Sequence, residues 1–469
     1  MKKILVSLLL IVALMANVFA FTGCDMFNKN KNGEEEGKIN IHFYHTMGQN
    51  LSTVLDYYVE EFEALYPDIN IIHEQVGGYD DVRDQISTEL TTGAQPNIAY
   101  CYPDHVALYN VAMAVMPLDE YINSTEEITL ADGTTTILGL TAEQKADFIE
   151  GYYNEGMAYG DGKMYTLPLS KSTEVLYYNM DFFAKHNLKV PTTWDEMEAL
   201  CAQILEIDPK SVPLGYDSEG NWFITMTEQL GTPYTSATGE KFLFDNEANH
   251  AFVREFREWY AKGYLTTQEI YGSYTSGLFT STGEQKSYMS IGSSAGATKQ
   301  CPDGLSFKVG IAPIPQVDAS NPKVISQGPS LCIFENADAE EERASWLFVK
   351  FLTTSVGFQA EFSEASGYIP VIKSVQEDAE YKAFLDSANN TNSGIAALSV
   401  KVGLEQEKAY YVSPAFNGSS KARDEVGALL QACILIDADG KLGLTSEQID
   451  AEIDKLFKAT VEKCKYSAG

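Results

Sequence analysis

Gly292-Ser293-Ser294-Ala295-Gly296 is the stretch of this chain that most directly suggests covalent chemistry. A G-x-S-x-G sequence raises a nucleophilic serine on a tight strand-to-helix turn, and Tyr288 to Ile291 just before it is strand-like. Such a serine takes its acid and its histidine from later in the chain. The histidines stand at 42, 45, 73, 105, 186 and 250, all before Ser294. That chain order cannot be built, and the small residues suit instead a loop whose backbone and hydroxyls come close to a ligand. Asp437-Ala438-Asp439-Gly440 hints at a calcium loop. With Gly440 in the glycine position, however, Leu435 and Ser446 fall where oxygen-rich ligands belong, so a turn between helices is the better reading. His42 and His45 are three apart in a strand-like stretch and face opposite sides, which argues against a metal pair. No pair of carboxylates stands out as a glycosidase would need, and no Gly-rich phosphate loop is present. An extracellular glycan or ester hydrolase remains the enzymatic alternative.

Binding chemistry has stronger support. The chain holds 27 Tyr, 23 Phe and 4 Trp. Aromatic faces pack against the C–H faces of sugar rings, while amides, hydroxyls and carboxylates satisfy the sugar hydroxyls. Trp259 and Trp346 fall on apolar helical stripes and read as core, and Trp194 at a helix start reads as structural. Trp222 follows Asp217-Ser218-Glu219-Gly220-Asn221, a polar, turn-rich stretch, and is the tryptophan expected to offer a ligand platform.

Composition bounds the rest. There are 33 basic and 66 acidic residues, a formal charge of −33. Such a surface repels nucleic acid and favours solubility outside a cell. Lys2 and Lys3 precede an apolar run from Ile4 to Phe21, which ends in Phe21-Thr22-Gly23-Cys24. Charged start, apolar middle and small residues at a cut site describe an export signal over 1–23. A cysteine at the cut point resembles the lipobox of bacterial lipoproteins, in which the thiol is lipidated. Where that pattern has Leu, three places before the cysteine, this chain has Phe21. An uncleaved membrane helix is the competing reading, since about 18 apolar residues just span a bilayer. Residues 24–37 have little apolar content and read as a flexible tether reaching about 45 Å when extended. The other cysteines, 101, 201, 301, 332, 433 and 464, are scattered without a C-x-x-C pair and read as buried free thiols.

The elements that must position any site are legible in part. Ile39 to Tyr44 alternates like a strand, and Val54, Leu55, Tyr58, Val59, Phe62 and Leu65 mark a helix ended by Pro67. Ile69 to Val76 is a second strand, Val82, Ile86 and Leu90 a second helix, and Asn97 to Tyr102 a third strand. This order implies a parallel α/β sheet. Thr193-Trp194-Asp195-Glu196 reads as a capping box. Phe252, Phe256, Trp259 and Tyr260 lie on one helix. Val309 to Ile314 is a strand, Ala344 to Leu352 a helix, and the stretch from Ile449 helical. The roughly 430 residues past the tether suggest two domains.

Several segments in order carry a family likeness. They are Phe62-Glu63-Ala64-Leu65-Tyr66-Pro67-Asp68-Ile69, Gly93-Ala94-Gln95-Pro96-Asn97, Leu176-Tyr177-Tyr178-Asn179-Met180-Asp181-Phe182-Phe183, Pro191-Thr192-Thr193-Trp194-Asp195-Glu196, Gly310-Ile311-Ala312-Pro313-Ile314-Pro315 and Ser366-Gly367-Tyr368-Ile369-Pro370-Val371. Together they resemble the extracellular solute-binding proteins of ABC importers, in the branch that binds sugars, oligosaccharides and glycerol-3-phosphate. The resemblance implies an α/β, two-lobe periplasmic-binding-protein-like fold with hinge crossovers and a central ligand cleft. Crossings are implied near Pro168, Pro313 and Ile372, giving 38–168 plus 314–371 as lobe 1 and 169–313 plus 372–469 as lobe 2. It further implies a monomer without catalysis or cofactor, which delivers a small carbohydrate to a membrane permease. The ligand residues it suggests are Tyr79, Asp104, Ser172, Trp222, Ser293 or Ser294, Gly328 and Tyr368. His45, on the loop after the first strand, and Phe416, as a second stacking surface, are added from the residues themselves. In the glycerol-phosphate binders an arginine faces the phosphate in the segment corresponding to Pro414-Ala415-Phe416-Asn417-Gly418, where this chain has no Arg or Lys. A phosphate demands such donors, so a neutral carbohydrate is expected over a phosphorylated polyol.

Overall fold

The computed structural model describes residues 33–336 and 338–468. Cys24, the apolar run before it and most of the 24–37 stretch lie outside them. Residues 33–37 already touch the first lobe: Asn70 donates to the Gly33 carbonyl at 2.8 Å, and the Glu35 amide donates to Asn40 Oδ1 at 2.9 Å. Among the described residues no helix is long and apolar enough to cross a membrane.

The strands in chain order are β1 (Ile39–His45), β2 (Ile69–Gln75), β3 (Ile98–Cys101), β4 (Glu127–Thr129), β5 (Thr135–Ile137), β6 (Leu167–Pro168), β7 (Ser172–Asn179), β8 (Leu214–Tyr216), β9 (Leu265–Thr267), β10 (Met289–Ser293), β11 (Val309–Pro313), β12 (Val324–Gln327), β13 (Ser330–Ile333) and β14 (Tyr410–Tyr411). One sheet runs β2-β1-β3-β13-β6, and the other β14-β12-β7-β10-β8-β9, with β11 also paired to β7. β1 lies parallel to both β2 and β3, as the alternation of strand and helix requires, and β13 closes on β3 antiparallel. In the second sheet β10 is parallel to β8 and antiparallel to β7.

Helix α1 (Gln49–Leu65) buries Leu55, Tyr58, Val59 and Phe62, spaced three and four apart, against the first sheet. Phe62 meets Phe348 edge-on at 5.0 Å, and Trp346 donates its indole N–H to the Leu138 carbonyl at 2.8 Å. Helices α2 (Tyr79–Glu89) and α3 (Pro103–Tyr109) follow β2 and β3. The second core gathers Trp194, Trp222, Phe256 and Trp259 around α4 (Glu219–Leu230) and α5 (Ser419–Ile434). The six cysteines among the described residues are free and buried.

The chain passes between the sheets at 169–171, joining β6 to β7, and returns at 328–329, joining β12 to β13. The boundary expected at 314 therefore moves. Ile314, Val324 and Ile325 pack in the second core, and β12 pairs with β7. Pro313 ends β11, still paired with Val175 of β7, so the chain does not cross there. The boundary expected at 372 moves too: Ile372, Val375 and Tyr381 stay in the first core. Only at Asn390, whose backbone carbonyl accepts the Val309 amide and whose side-chain amide donates to the Val309 carbonyl of β11, has the chain rejoined the second lobe.

Candidate functional site: a tyrosine-walled, acid-floored cleft

The first wall of the cleft starts from a sharp turn. Gly77 has φ +46, and a Cβ there would lie 2.2 Å from Asp81 Oδ2. Asp81 Oδ2 accepts the Gly78 amide at 2.7 Å and fixes the start of α2. That places Tyr79 in the first turn, stacked on Tyr102 at 4.5 Å between ring centroids. The Tyr79 and Tyr368 hydroxyls meet at 3.2 Å. Three tyrosines, one in the first turn of α2 and two in connecting segments, thus make one aromatic wall.

The floor comes from the second sheet. Ser172 and Glu174 stand on the first half of β7, Ser293 at the end of β10, and Asp217 just past the end of β8. Antiparallel pairing sets Glu174 opposite Ser293. These are the strand ends where α/β folds bind ligands. Tyr79, Ser172, Ser293 and Tyr368, all foreseen in the sequence, line one cleft of about 980 Å3. This is the upper end of the range for small-molecule sites.

The electrostatics are lopsided. Seven carboxylates line the cleft, from Asp80, Asp81, Glu174, Asp217, Glu219, Glu269 and Asp424, against two basic side chains, Lys299 and Arg423. His105 also lines it, and burial holds its imidazole below the usual range, which keeps it neutral. Glu174 is 1% exposed. Its Oε2 accepts the Tyr216 hydroxyl at 2.6 Å, whereas Oε1 has no hydrogen-bond partner. Burial pushes the Glu174 carboxyl up to about 7, opposed by the Tyr216 hydroxyl and the nearby Asn221 side chain and reinforced by Asp217. Asp217 Oδ1 accepts both the amide and the hydroxyl of Thr275, at 2.7 and 2.8 Å. Burial raises its carboxyl too, partly offset by Thr275.

Two arginines bridge the lobes. Arg83 on α2 reaches Asp424 on α5 at 3.2 Å and Ser420 Oγ at 3.2 Å. Arg423, also on α5, lies 3.4 Å from Asp104 on α3, donates to Asn221 Oδ1, and sits 6.0 Å from the centre of the Tyr102 ring. The cation missing from 414–418 thus enters the cleft from the next helix, with its charge already committed to Asp104.

The remaining sequence candidates lie elsewhere. Trp222 is fully buried, stacked between Tyr216 at 4.5 Å and Phe256 at 4.0 Å. The polar residues before it are a helix cap, not a loop: Ser218 Oγ accepts the Asn221 amide at 3.3 Å, and α4 turns Trp222 inward. Phe416 is 9% exposed in the second core, 5.9 Å from Phe242. His45 is buried: its Nδ1 accepts the Met47 amide at 3.0 Å, so its Nε2–H donates to His73 Nδ1 at 2.9 Å, and His73 Nε2–H donates to Asp56 at 2.8 Å. Burial and His73 drive the His45 imidazole down to about 3, and this chain of rings holds the end of β1. Ser294 is buried with its Oγ accepting the Thr173 amide at 3.2 Å, which makes it a sheet brace and not a nucleophile. Gly328 serves a backbone crossing: it has φ +113, and a Cβ there would lie 2.6 Å from the Ser170 carbonyl. Asp437 spends both carboxylate oxygens on the amides of Leu442 and Leu444, each at 2.8 Å, as a turn and not a calcium loop. Asp104 stands in a small recess beside the cleft, paired to Arg423.

Glu174, Asp217, Asn221 and Arg423 are absent from the sequence candidates. One signal pointed to Glu174: it is an acid leading straight into the apolar run Val175-Leu176-Tyr177. Arg423 and Asp217 carry no local sign of their role.

Two α/β lobes joined by crossing segments, with a polar, aromatic-walled cleft between them, define a solute-binding protein. Residues 57–388 match the bacterial extracellular solute-binding protein family, and the chain belongs to it. It is 23% identical over 373 residues to the sn-glycerol-3-phosphate-binding periplasmic protein UgpB of Shigella flexneri serotype 5b (strain 8401), covering 76% of this chain and 79% of that one. It is 24% identical over 363 residues to the maltotriose-binding protein of Pyrococcus abyssi (strain GE5 / Orsay), covering 74% of this chain and 69% of that one. The fold matches the crystal structure of UgpB from Mycobacterium tuberculosis in complex with glycerophosphocholine, with a TM-score of 0.70 at 17% identity over 92% of this chain and 99% of that chain.

Proposed function

We propose that this protein captures a carbohydrate outside the cell and passes it, chemically unchanged, to the membrane permease of an ABC importer. The observation that carries the reading is the cleft itself, with Tyr79, Tyr102 and Tyr368 on one side and Glu174, Asp217, Ser172 and Ser293 on the other. Ring faces suit the C–H faces of a sugar, and the carboxylates and hydroxyls suit its hydroxyls. The contributions come from both lobes, so a ligand that touches both favours their closed arrangement. A phosphorylated polyol fits poorly, because seven carboxylates face two cations and Arg423 is already paired. The protein works as a monomer without cofactor or catalysis. It is held to the membrane by lipid on Cys24 after removal of residues 1–23.

Titration calorimetry over mono- and oligosaccharides tests the ligand class. Micromolar or tighter binding of at least one sugar is expected, with thermal stabilisation rising by mass action. A panel of sugars and polyols giving no heat and no shift would sink the reading, as would turnover of a bound glycoside. For the anchor, Cys24→Ala is expected to move the protein from the membrane fraction to the medium.

A further inference from the structure

The first lobe brings the rings of Tyr79, Tyr102, His105 and Tyr368 to the lining of the cleft. Among the described residues the second lobe brings one aromatic ring, Tyr274. Trp222 and Phe416, the second-lobe rings expected from the sequence, both pack in the core. Tyr274 is 66% exposed, whereas the next residue, Thr275, is fully buried. Tyr274 and Ser276 line the cleft on either side of it.

Thr275 anchors this turn to the second sheet. Its amide and hydroxyl both donate to Asp217 Oδ1, and the Ser290 hydroxyl of β10 lies 3.1 Å from its own. Gly215 of β8 makes room for it: a Cβ there would lie 2.6 Å from Thr275 Cβ. The Gly277 amide donates to the Tyr274 carbonyl at 3.1 Å. The backbone under Tyr274 is therefore fixed while its ring stays open. Such a ring is a platform in place before any ligand arrives, and tyrosine has little side-chain freedom left to lose. The ring is open to the space of the cleft, yet the walls around that space raise its hydroxyl. Asp217 of its own lobe and Asp80 of α2 in the other add to this. Groups from both lobes thus surround the ring.

We infer that Tyr274 is the second lobe's stacking surface, packing on the C–H face of a sugar ring and losing its exposure when the sugar is bound. This rests on the carbohydrate reading above and adds the ring through which the second lobe holds the ligand. It takes the place that the sequence suggested for Trp222 and Phe416.

Hydroxyl-radical footprinting and calorimetry on the soluble mature chain test it. The probe is the tightest binder among glucose, galactose, xylobiose, maltose, maltotriose and cellobiose. Saturation with that sugar is expected to slow modification of Tyr274 severalfold. Tyr57 and Tyr466, which are exposed and outside the cleft lining, are expected to react at unchanged rates. Tyr274→Ala is expected to weaken binding by about tenfold or more and to melt close to the parent, because the ring is open. Tyr274→Phe keeps the ring and is expected to keep most of the affinity. If the alanine variant fails to fold, the footprint on the wild type and the phenylalanine variant decide. A sugar that binds without protecting Tyr274 would overturn this inference and leave the carbohydrate reading intact. So would undiminished affinity in Tyr274→Ala, or a loss in Tyr274→Phe as large as that expected for alanine. Binding of none of these sugars would overturn both.

Discussion

Arg423 on α5 lies 3.4 Å from Asp104 on α3, an ion pair that spans the two lobes beside the ligand cleft. Asp104 is 8% exposed, and its Oδ1 has no hydrogen-bond partner. Removing the guanidinium therefore strands a carboxylate with little access to water and deprives Asn221 of its donor. Arg423→Gln is expected to lower saccharide affinity by about tenfold or more and to widen the ligand-free protein in small-angle scattering. Unchanged affinity together with an unchanged radius of gyration would show that the pair neither shapes the cleft nor holds the lobes.

Trp222 is a packing residue, and its substitutions separate core from site. Trp222→Ala empties a space between Tyr216 and Phe256 and is expected to cost about 3–5 kcal/mol in denaturant unfolding. Trp222→Phe keeps a stacked ring and is expected to retain ligand affinity with a smaller loss of stability. An alanine variant as stable as the parent but unable to bind sugar would return Trp222 to the site.

The first sheet was the most legible part of the chain. Apolar periodicity around Phe43, Phe62, Ile71 and Ile86 marks β1, α1, β2 and α2, because each buries one face against a single layer. Polarity misled at Trp222, because the residues that satisfy a helix N-terminus have the same composition as a loop. Gly328 and Ser294 were placed near the right strands, yet their side of the chain serves backbone packing. Beyond the acid that leads into Val175-Leu176-Tyr177, the acid floor was not legible. Residues 174 and 217 are far apart in sequence and reach one cleft only through the order β7-β10-β8, which no local pattern announces. The same holds for Arg423, whose neighbours Ala422 and Val426 mark α5 as a core helix and say nothing about its polar edge.

Lys171 at the crossing between lobes is buried, and its ammonium is held by the Glu155 carboxylate, with Ser330 Oγ at 3.2 Å. Lys171→Met leaves Glu155 buried without a cation and is expected to cost about 3–5 kcal/mol. The double variant Lys171→Met with Glu155→Leu removes both charges and is expected to recover a large part of that loss. Urea unfolding of the four proteins gives the coupling. Additive losses would mean that the two side chains do not act as a pair.

Glu174 gives the cleft a signature in pH. Its carboxyl is raised from 4.5 to about 7 when folded, so the folded protein holds this proton more tightly than the unfolded chain. Its contribution to stability is therefore complete below the unfolded value of about 4.5 and is lost as pH rises through about 7. A shift of this size corresponds to a change on the order of 3 kcal/mol. The groups facing it are Tyr216 and Asn221, which ease the charged form, Asp217, which opposes it, and Arg423, which favours it. Glu174→Gln keeps the shape and removes the titration. Relative to that variant, the wild type is expected to be most stable near pH 5 and to lose ground steadily toward pH 8. Urea midpoints of both proteins across that range are the measurement, and a constant difference between them would place the Glu174 proton transition outside the window.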